Sequence, residues 1–422
     1  MIHRTVRKSR LLAFAALTVS LVSYAFAGSS ERVVHSFAGS PDGSDPATAL
    51  TFDSQGNIYG TTATGGSDGC GTVFQLVPAG GGSWQENVLF SFNCFEQGKN
   101  PYGGVTLDAQ GNLYGTTVAG GSGGFCTGDG CGVVYKLAKS GGTWNETVLY
   151  NFGDSPDGWG AGGAVAFDSA GNLYGTTPDG GANEAGTVYQ LAQNNGQWTE
   201  TIIHDFTGGD DGGVGGLGRL LVDSFGNIYG VAEIGGMYGA GTLFRMQRGA
   251  GGSWQFATLY AFQGQPDAGF PYGGLIADTH GNLYGTTYYG GANGAGTVYK
   301  VGPRANARPG PNAVAWRESV LYSFQESTDG GFPLSTLVFD PSGNLLGTTS
   351  MGGDPGCDCG VAFMLTPNNH GGWDQSVLHT FGSNHDAAYP NYGLTSDGAG
   401  NYFGTGVYGG SANMGAAFEL TP

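Results

Sequence analysis

The sequence predicts an all-β fold: a seven-bladed β-propeller of four-stranded antiparallel blades, its ring closed by the N-terminal strand. Three observations carry this. The phrase D-x-x-G-N recurs seven times, with its turn aspartates at Asp53, Asp108, Asp168, Asp223, Asp278, Asp340 and Asp397. Each unit of about 56 residues holds four short pieces of strand character bounded by glycine. The last unit lacks its fourth piece, and the first residues of the chain supply one.

Within a unit the first piece is an apolar run ending at the aspartate, such as ALTFD (49–53) or RLLVD (219–223). The second is N-L-Y-G-T-T, identical at 112–117, 172–177 and 282–287. The third is GTVFQL at 71–76 and its copies. The fourth runs from a tryptophan to a phenylalanine, as in WQENVLFSF at 84–92. All four are rich in β-branched and aromatic residues, which suit a pleated surface. In the first-to-second junction the aspartate accepts backbone N–H groups, and the glycine after it closes a tight turn. Seven copies of one carboxylate point to a turn device, since a catalytic group is needed once.

Trp84, Trp144, Trp198, Trp254, Trp316 and Trp373 each open a fourth strand; Trp159 stands outside that register, in a loop. The seventh fourth strand is missing after GAAFEL (415–420), while ERVVHSF (31–37) matches ENVLFSF (86–92). An offset of one strand is what a closed ring requires, and an open solenoid has no use for it.

Residues 1–27 form a separate segment. Arg4, Arg7, Lys8 and Arg10 precede an apolar run that ends in Ala25 and Ala27, the pattern of a secretory signal cleaved near Ala27. The expectation is one propeller domain over 28–422, secreted, periplasmic or at the cell surface, with no membrane insertion after cleavage. The mature chain then carries 11 Lys+Arg against 33 Asp+Glu, which disfavours nucleic acid and anionic lipid as partners.

Six cysteines fit an exported chain with disulfides. Cys70 opens a third strand and Cys94 follows the fourth strand of the same unit, so Cys70–Cys94 is expected. From the asparagine of each G-N to the glycine opening strand three, five units span 14 residues, the second 20 and the sixth 16. The two enlarged loops hold Cys126 with Cys131 and Cys357 with Cys359, so local pairing is expected there. No Cys or His spacing matches a zinc site.

On D-x-x-G-N-L-Y-G-T-T, the G-G…G-T-V-Y that follows, and W-x-E-x-V-L-Y-x-F, residues 31–422 resemble the bacterial choice-of-anchor tandem repeat GloVer-containing proteins. The resemblance implies an exported bacterial protein, often held at the surface by varied C-terminal anchors. It brings no established activity and no catalytic residues.

The residues themselves offer little catalysis. The strands expected to line the channel are apolar, with Arg219 the one charge before a turn aspartate. His35, His204 and His379 share one repeat position with Phe90, Tyr150, Tyr260 and Tyr322, and read as aromatic substitutes on an outer strand. No cofactor is expected, with calcium at GDDGG (209–213) and PDGSD (41–45) as the one alternative.

The loops entering strand one are the candidate binding surface. Asp42, Asp157, Asp267, Asp329 and Asp386 lie eleven residues before the turn aspartate, and Asp211 twelve. Tyr102, Trp159, Phe270, Tyr272, Phe332 and Tyr389 lie close to them. Acids that accept hydroxyl bonds and aromatic faces that stack on sugar rings would grip a glycan; local turn bonds and plugging between blades are the structural alternative. The reading is a monomeric, non-catalytic scaffold binding glycan or surface protein. A propeller lyase or hydrolase, and a purely structural surface protein, stand as alternatives.

Overall fold

The computed structural model describes residues 29–422 apart from 125, 127, 217, 250, 305–315 and 383–384. The signal expected over 1–27 lies outside the described residues. These form seven small antiparallel sheets in a ring. Blade one comprises Thr51–Phe52, Ile58–Thr62, Thr72–Gly80 and Ser83–Ser91, paired in that order. The later blades begin at Thr106, Ala166, Leu221, Ile276, Val338 and Thr395. Among the described residues no helix is long and apolar enough to cross a membrane.

The repeated phrase is accounted for atom by atom. In blade three the Asp168 carboxylate accepts the backbone N–H groups of Ala170 and Asn172, both at 2.9 Å, and the Asn172 amide at 2.8 Å. The Tyr174 hydroxyl donates to it at 2.9 Å. Gly175 leaves room for an aromatic ring, since a Cβ there would stand 2.3 Å from the Tyr189 hydroxyl. The Thr176 hydroxyl crosses to the carbonyl of Gly216, on the chain entering blade four, at 3.0 Å. Thr177 bonds Thr187 of the third strand at 2.9 Å. Turn, ring socket and stitch between blades thus occupy successive residues, so the phrase recurs intact.

Ring closure is by the N-terminal strand. Ser30–Ser36 pairs antiparallel with Ala416–Thr421, from Ser30↔Thr421 to Ser36↔Ala416. A β-bulge skips one apolar residue at the same place in all seven outer strands: Val34, Leu89, Leu149, Ile203, Leu259, Leu321 and Leu378. The extra residue shifts facing along the strand. In this way V-L-Y, three large residues in a row, serves both the sheet and the seam.

The core lies between blades and not at the ring's centre. One cluster joins Phe37, Phe403 and Ala417 of blade seven to Leu50, Ile58, Phe74 and Leu76 of blade one. The phenylalanines that end the outer strands, Phe37, Phe92, Phe152, Phe206, Phe262, Phe324 and Phe381, are all fully buried. Each meets a third-strand ring of the next blade, at centroid separations of 4.9 to 5.5 Å. Such near edge-to-face pairs add about 0.5–1.5 kcal/mol each beyond area burial, and here they run around the whole ring.

All three disulfides form as expected: Cys70–Cys94, Cys126–Cys131 and Cys357–Cys359.

Candidate functional site

The loop entering each blade lies beside that blade's loop between strands two and three. Short pairs form between them: Ser44↔Thr64, Lys99↔Ala119, Trp159↔Asp179, Gly269↔Tyr289, Gly331↔Met351 and Ala388↔Tyr408. They make a second tier around one mouth of the channel. The equivalent residue of each entering loop is left-handed: Asp45, Asn100, Gly160, Val214, Phe270, Phe332 and Tyr389, with φ between 54° and 77°. The fold imposes this, because each backbone N–H donates to a carbonyl of the preceding blade, as Phe270 does to Ala240 at 2.7 Å and Tyr389 to Cys359 at 2.9 Å. Glycine takes this conformation freely, while a bulky residue pays about 1–3 kcal/mol. Even so, three successive blades carry Phe, Phe and Tyr.

These strained aromatics belong to a larger surface. Phe270, Tyr288, Tyr289 and Phe332 form a connected ring cluster with centroids 4.6 to 5.7 Å apart. Tyr389 meets Tyr408 at 5.8 Å. Tyr289 and Tyr408 are exposed, at 46% and 53%. Trp159 is half-buried, as are the other six tryptophans.

Inside the tier is a central cavity of about 420 Å³, whose polar and aromatic lining includes Tyr102, Tyr272, Tyr392, Asn391 and Arg219. Burial pushes the Tyr272 hydroxyl up to about 12 and raises those of Tyr102 and Tyr392. All three are therefore un-ionised donors at neutral pH. Burial also raises the Asp45 carboxyl to about 6 and lifts that of Glu233. The first strands below are tied across blades by hydroxyls: Thr51 to the Val105 carbonyl, Thr106 to Val165 and Thr395 to Leu50, each at 2.7 Å.

The structure divides the predicted binding residues in two. Tyr102 and Tyr272 line the cavity, and Phe270, Phe332 and Tyr389 stand on the tier around it. The acids lie elsewhere. Asp157, Asp267 and Asp329 accept the hydroxyls of Tyr150, Tyr260 and Tyr322 at 2.8 to 2.9 Å. Asp42, Asp211 and Asp386 bond His35, His204 and His379 at 2.9 to 3.3 Å. Each also accepts a backbone N–H of its own loop. These carboxylates therefore sit at the outer-strand seams, and none of the six lines the cavity. The histidines pack edge-on against Phe37, Phe206 and Phe381, as aromatic substitutes would.

Two seams bring one histidine and two carboxylates together with their ligand atoms within 4.8 Å of one another: His35, Asp42, Glu86 and Glu31, His379, Asp386. A divalent cation could be held there. The same arrangement with tyrosine at other seams shows that it also serves packing: Tyr150 bonds Asp157 beside Glu200, and Tyr260 bonds Asp267 beside Glu318.

Sequence reasoning missed Asn391, Tyr392, Asp45, Glu233 and the exposed tyrosines. The signal was a break in the repeat. Five residues before the turn aspartate stand Thr48, Gly103, Gly163, Gly218, Gly273 and Ser335, then Tyr392. Four before it stand Ala49, Gly104, Ala164, Gly274, Thr336 and Gly393, with Arg219 the exception. Small residues are needed here because blades meet backbone to backbone. A Cβ on Gly103, Gly218 or Gly273 would come within 2.1 to 2.6 Å of the next blade's main chain.

The comparisons concern fold and family. No curated protein matches the chain significantly. One similar solved structure is a putative oxidoreductase (glucose dehydrogenase) from Thermus thermophilus, 16% identical over 93% of this chain and 100% of that one, with a TM-score of 0.43. A putative 6-phosphogluconolactonase from Bacteroides uniformis is 15% identical over 81% of this chain and 86% of that one, TM-score 0.48. An ancestral GH74 enzyme is 13% identical over 88% of this chain and 47% of that one, TM-score 0.53. At these identities the likeness is one of fold alone. The Gloeobacter/Verrucomicrobia repeat matches at residues 20–128, 122–310 and 220–422, which together span the propeller. The chain belongs to the Gloeobacter/Verrucomicrobia repeat family.

Proposed function

We propose that this protein is an exported, monomeric binding module that takes a glycan on the aromatic tier at its channel mouth. The observation that carries this reading is the set of bulky left-handed residues. Phe270, Phe332 and Tyr389 occupy positions where glycine, as at Gly160, avoids the strain. Strain held at a surface argues that the side chain is wanted there. Together with Tyr288, Tyr289 and Tyr408 they present ring faces and phenolic hydroxyls side by side. Sugars offer the complement, C–H faces that stack and hydroxyls that bond. Three disulfides suit an oxidising compartment and support export. A glycan array probed with the mature chain tests the reading. Binding to a defined set of glycans, lost when Tyr289 and Phe332 are changed together to alanine, supports it. A blank array, or binding indifferent to that double change, refutes it.

A further inference from the structure

The central cavity holds a cation with no ion-pair partner among the described residues. Arg219 projects where the other six blades place small residues, and it lines the cavity with Tyr102, Tyr272, Tyr392 and Asn391. It is open to the channel lumen, yet deep enough in the protein that burial lowers its pKa. Among the described residues no carboxylate lies within ion-pair distance of it, although the chain has 33 Asp+Glu. Two other cations have carboxylate partners, Arg32 with Glu419 and Lys99 with Asp129, but neither of them faces the cavity. Drawing a charge out of bulk water without a counter-charge is costly, so an unpaired arginine facing a cavity is suited to an incoming anion. Its planar fork of donors matches a carboxylate.

A second feature narrows the ligand. The Asn391 side-chain oxygen is buried without a hydrogen-bond partner. A buried acceptor left unmade costs about 1–3 kcal/mol, and Asn391 lines the cavity, where a side-chain amide suits a hydroxylated ligand. The three neutral tyrosines add ring faces and hydroxyls in the same space. A volume of about 420 Å³ is within the range of small-molecule sites.

We propose that Arg219 binds the carboxylate of an acidic sugar, with Asn391 and the tyrosines receiving its hydroxylated ring, so that the module selects uronic-acid-containing glycans. This rests on the glycan reading above and adds the substrate class.

Calorimetry of the mature chain with tri-galacturonate, its neutral counterpart tri-galactose, and inorganic phosphate tests it. Tri-galacturonate is expected to bind at least tenfold more tightly than either of the others. Arg219→Gln is expected to lose at least tenfold in uronide affinity while neutral-sugar binding stays as it was, and Arg219→Lys to recover part of the loss. Should Arg219→Gln fail to fold, excess phosphate on the wild-type chain makes the same comparison, displacing the uronide and sparing the neutral sugar. Equal uronide affinity in wild type and Arg219→Gln, or phosphate without effect, overturns the inference. Neutral sugar bound as tightly as uronide overturns it too, while the glycan reading stands. Neither sugar bound overturns the inference and leaves the glycan reading to the array.

Discussion

Phe37 is a direct probe of ring closure. It is the last ring of the N-terminal strand's motif, yet it is fully buried against Phe74 of blade one, with centroids 5.0 Å apart. Its backbone N–H donates to the Gly415 carbonyl at 3.0 Å, tying it to the other end of the chain. If the N-terminal strand completes blade seven, Phe37→Ala opens a cavity in a packed seam just as Phe152→Ala does in the middle of the chain. A buried Phe→Ala change costs about 3–5 kcal/mol. At about 2.1 cal/mol/K per residue, a chain of this size has an unfolding entropy of roughly 0.8 kcal/mol/K, so Tm falls by roughly 4–6 °C. Differential scanning calorimetry of the mature wild type, Phe37→Ala and Phe152→Ala reads the effect. Comparable losses in the two variants are expected. A Phe37→Ala protein that melts within a degree of wild type while Phe152→Ala drops in full would show a frayed N-terminus and an open ring.

Four further outcomes follow from the same geometry. Non-reducing peptide mapping should find Cys70 joined to Cys94, and Cys94→Ser with Cys70→Ser should cost about 3 kcal/mol in denaturant unfolding, the value for a loop of about 25 residues; Cys94 free or joined elsewhere refutes the pairing. Burial pushes the Glu146 and Glu200 carboxyls up to about 7 and that of Glu318 to about 8. A raised carboxyl pKa stabilises the fold fully below the unfolded value near 4.5, and that stability is lost as pH rises through 7 to 8; Tm should therefore fall between pH 5 and 8.5, and Glu318→Gln should flatten the slope, whereas a Tm that rises over this range contradicts the assignment. The turn carboxylates Asp53, Asp108, Asp168 and Asp278 act oppositely, since bonds from the Asn side chain and backbone N–H groups hold them below the usual range despite the opposing pull of burial; their contribution should disappear as pH drops below about 4, read as a second fall in Tm on the acid side. If the protein is exported as proposed, mass spectrometry of the chain recovered outside the cytoplasm should give an N-terminus at Gly28, and a chain retaining Arg4 to Arg10 would rule out cleavage near Ala27.

Much of the scaffold is legible in the sequence, because each local device is written in consecutive residues. Asp168, Gly171, Asn172, Tyr174, Gly175 and Thr176 make the turn, the ring socket and the stitch to the next blade within nine positions, and repetition exposes the pattern. Ring closure is legible for the same reason, as an incomplete last unit and a spare strand at residues 31–37. So is the Cys70–Cys94 bridge, since antiparallel pairing fixes which strand ends are neighbours. The site is another matter. Asp157 and Trp159 are two residues apart in sequence, yet one turns outward to Tyr150 at a seam and the other joins the tier around the mouth. Arg219, Tyr272 and Asn391 lie more than fifty residues from one another and share a cavity only because a closed ring brings its entering loops to one axis. Local geometry depends on hydrogen bonds between near neighbours, which a single repeat reveals. The cavity depends on where seven repeats converge, and which side chains meet there, paired or unpaired, was decided by the tertiary structure.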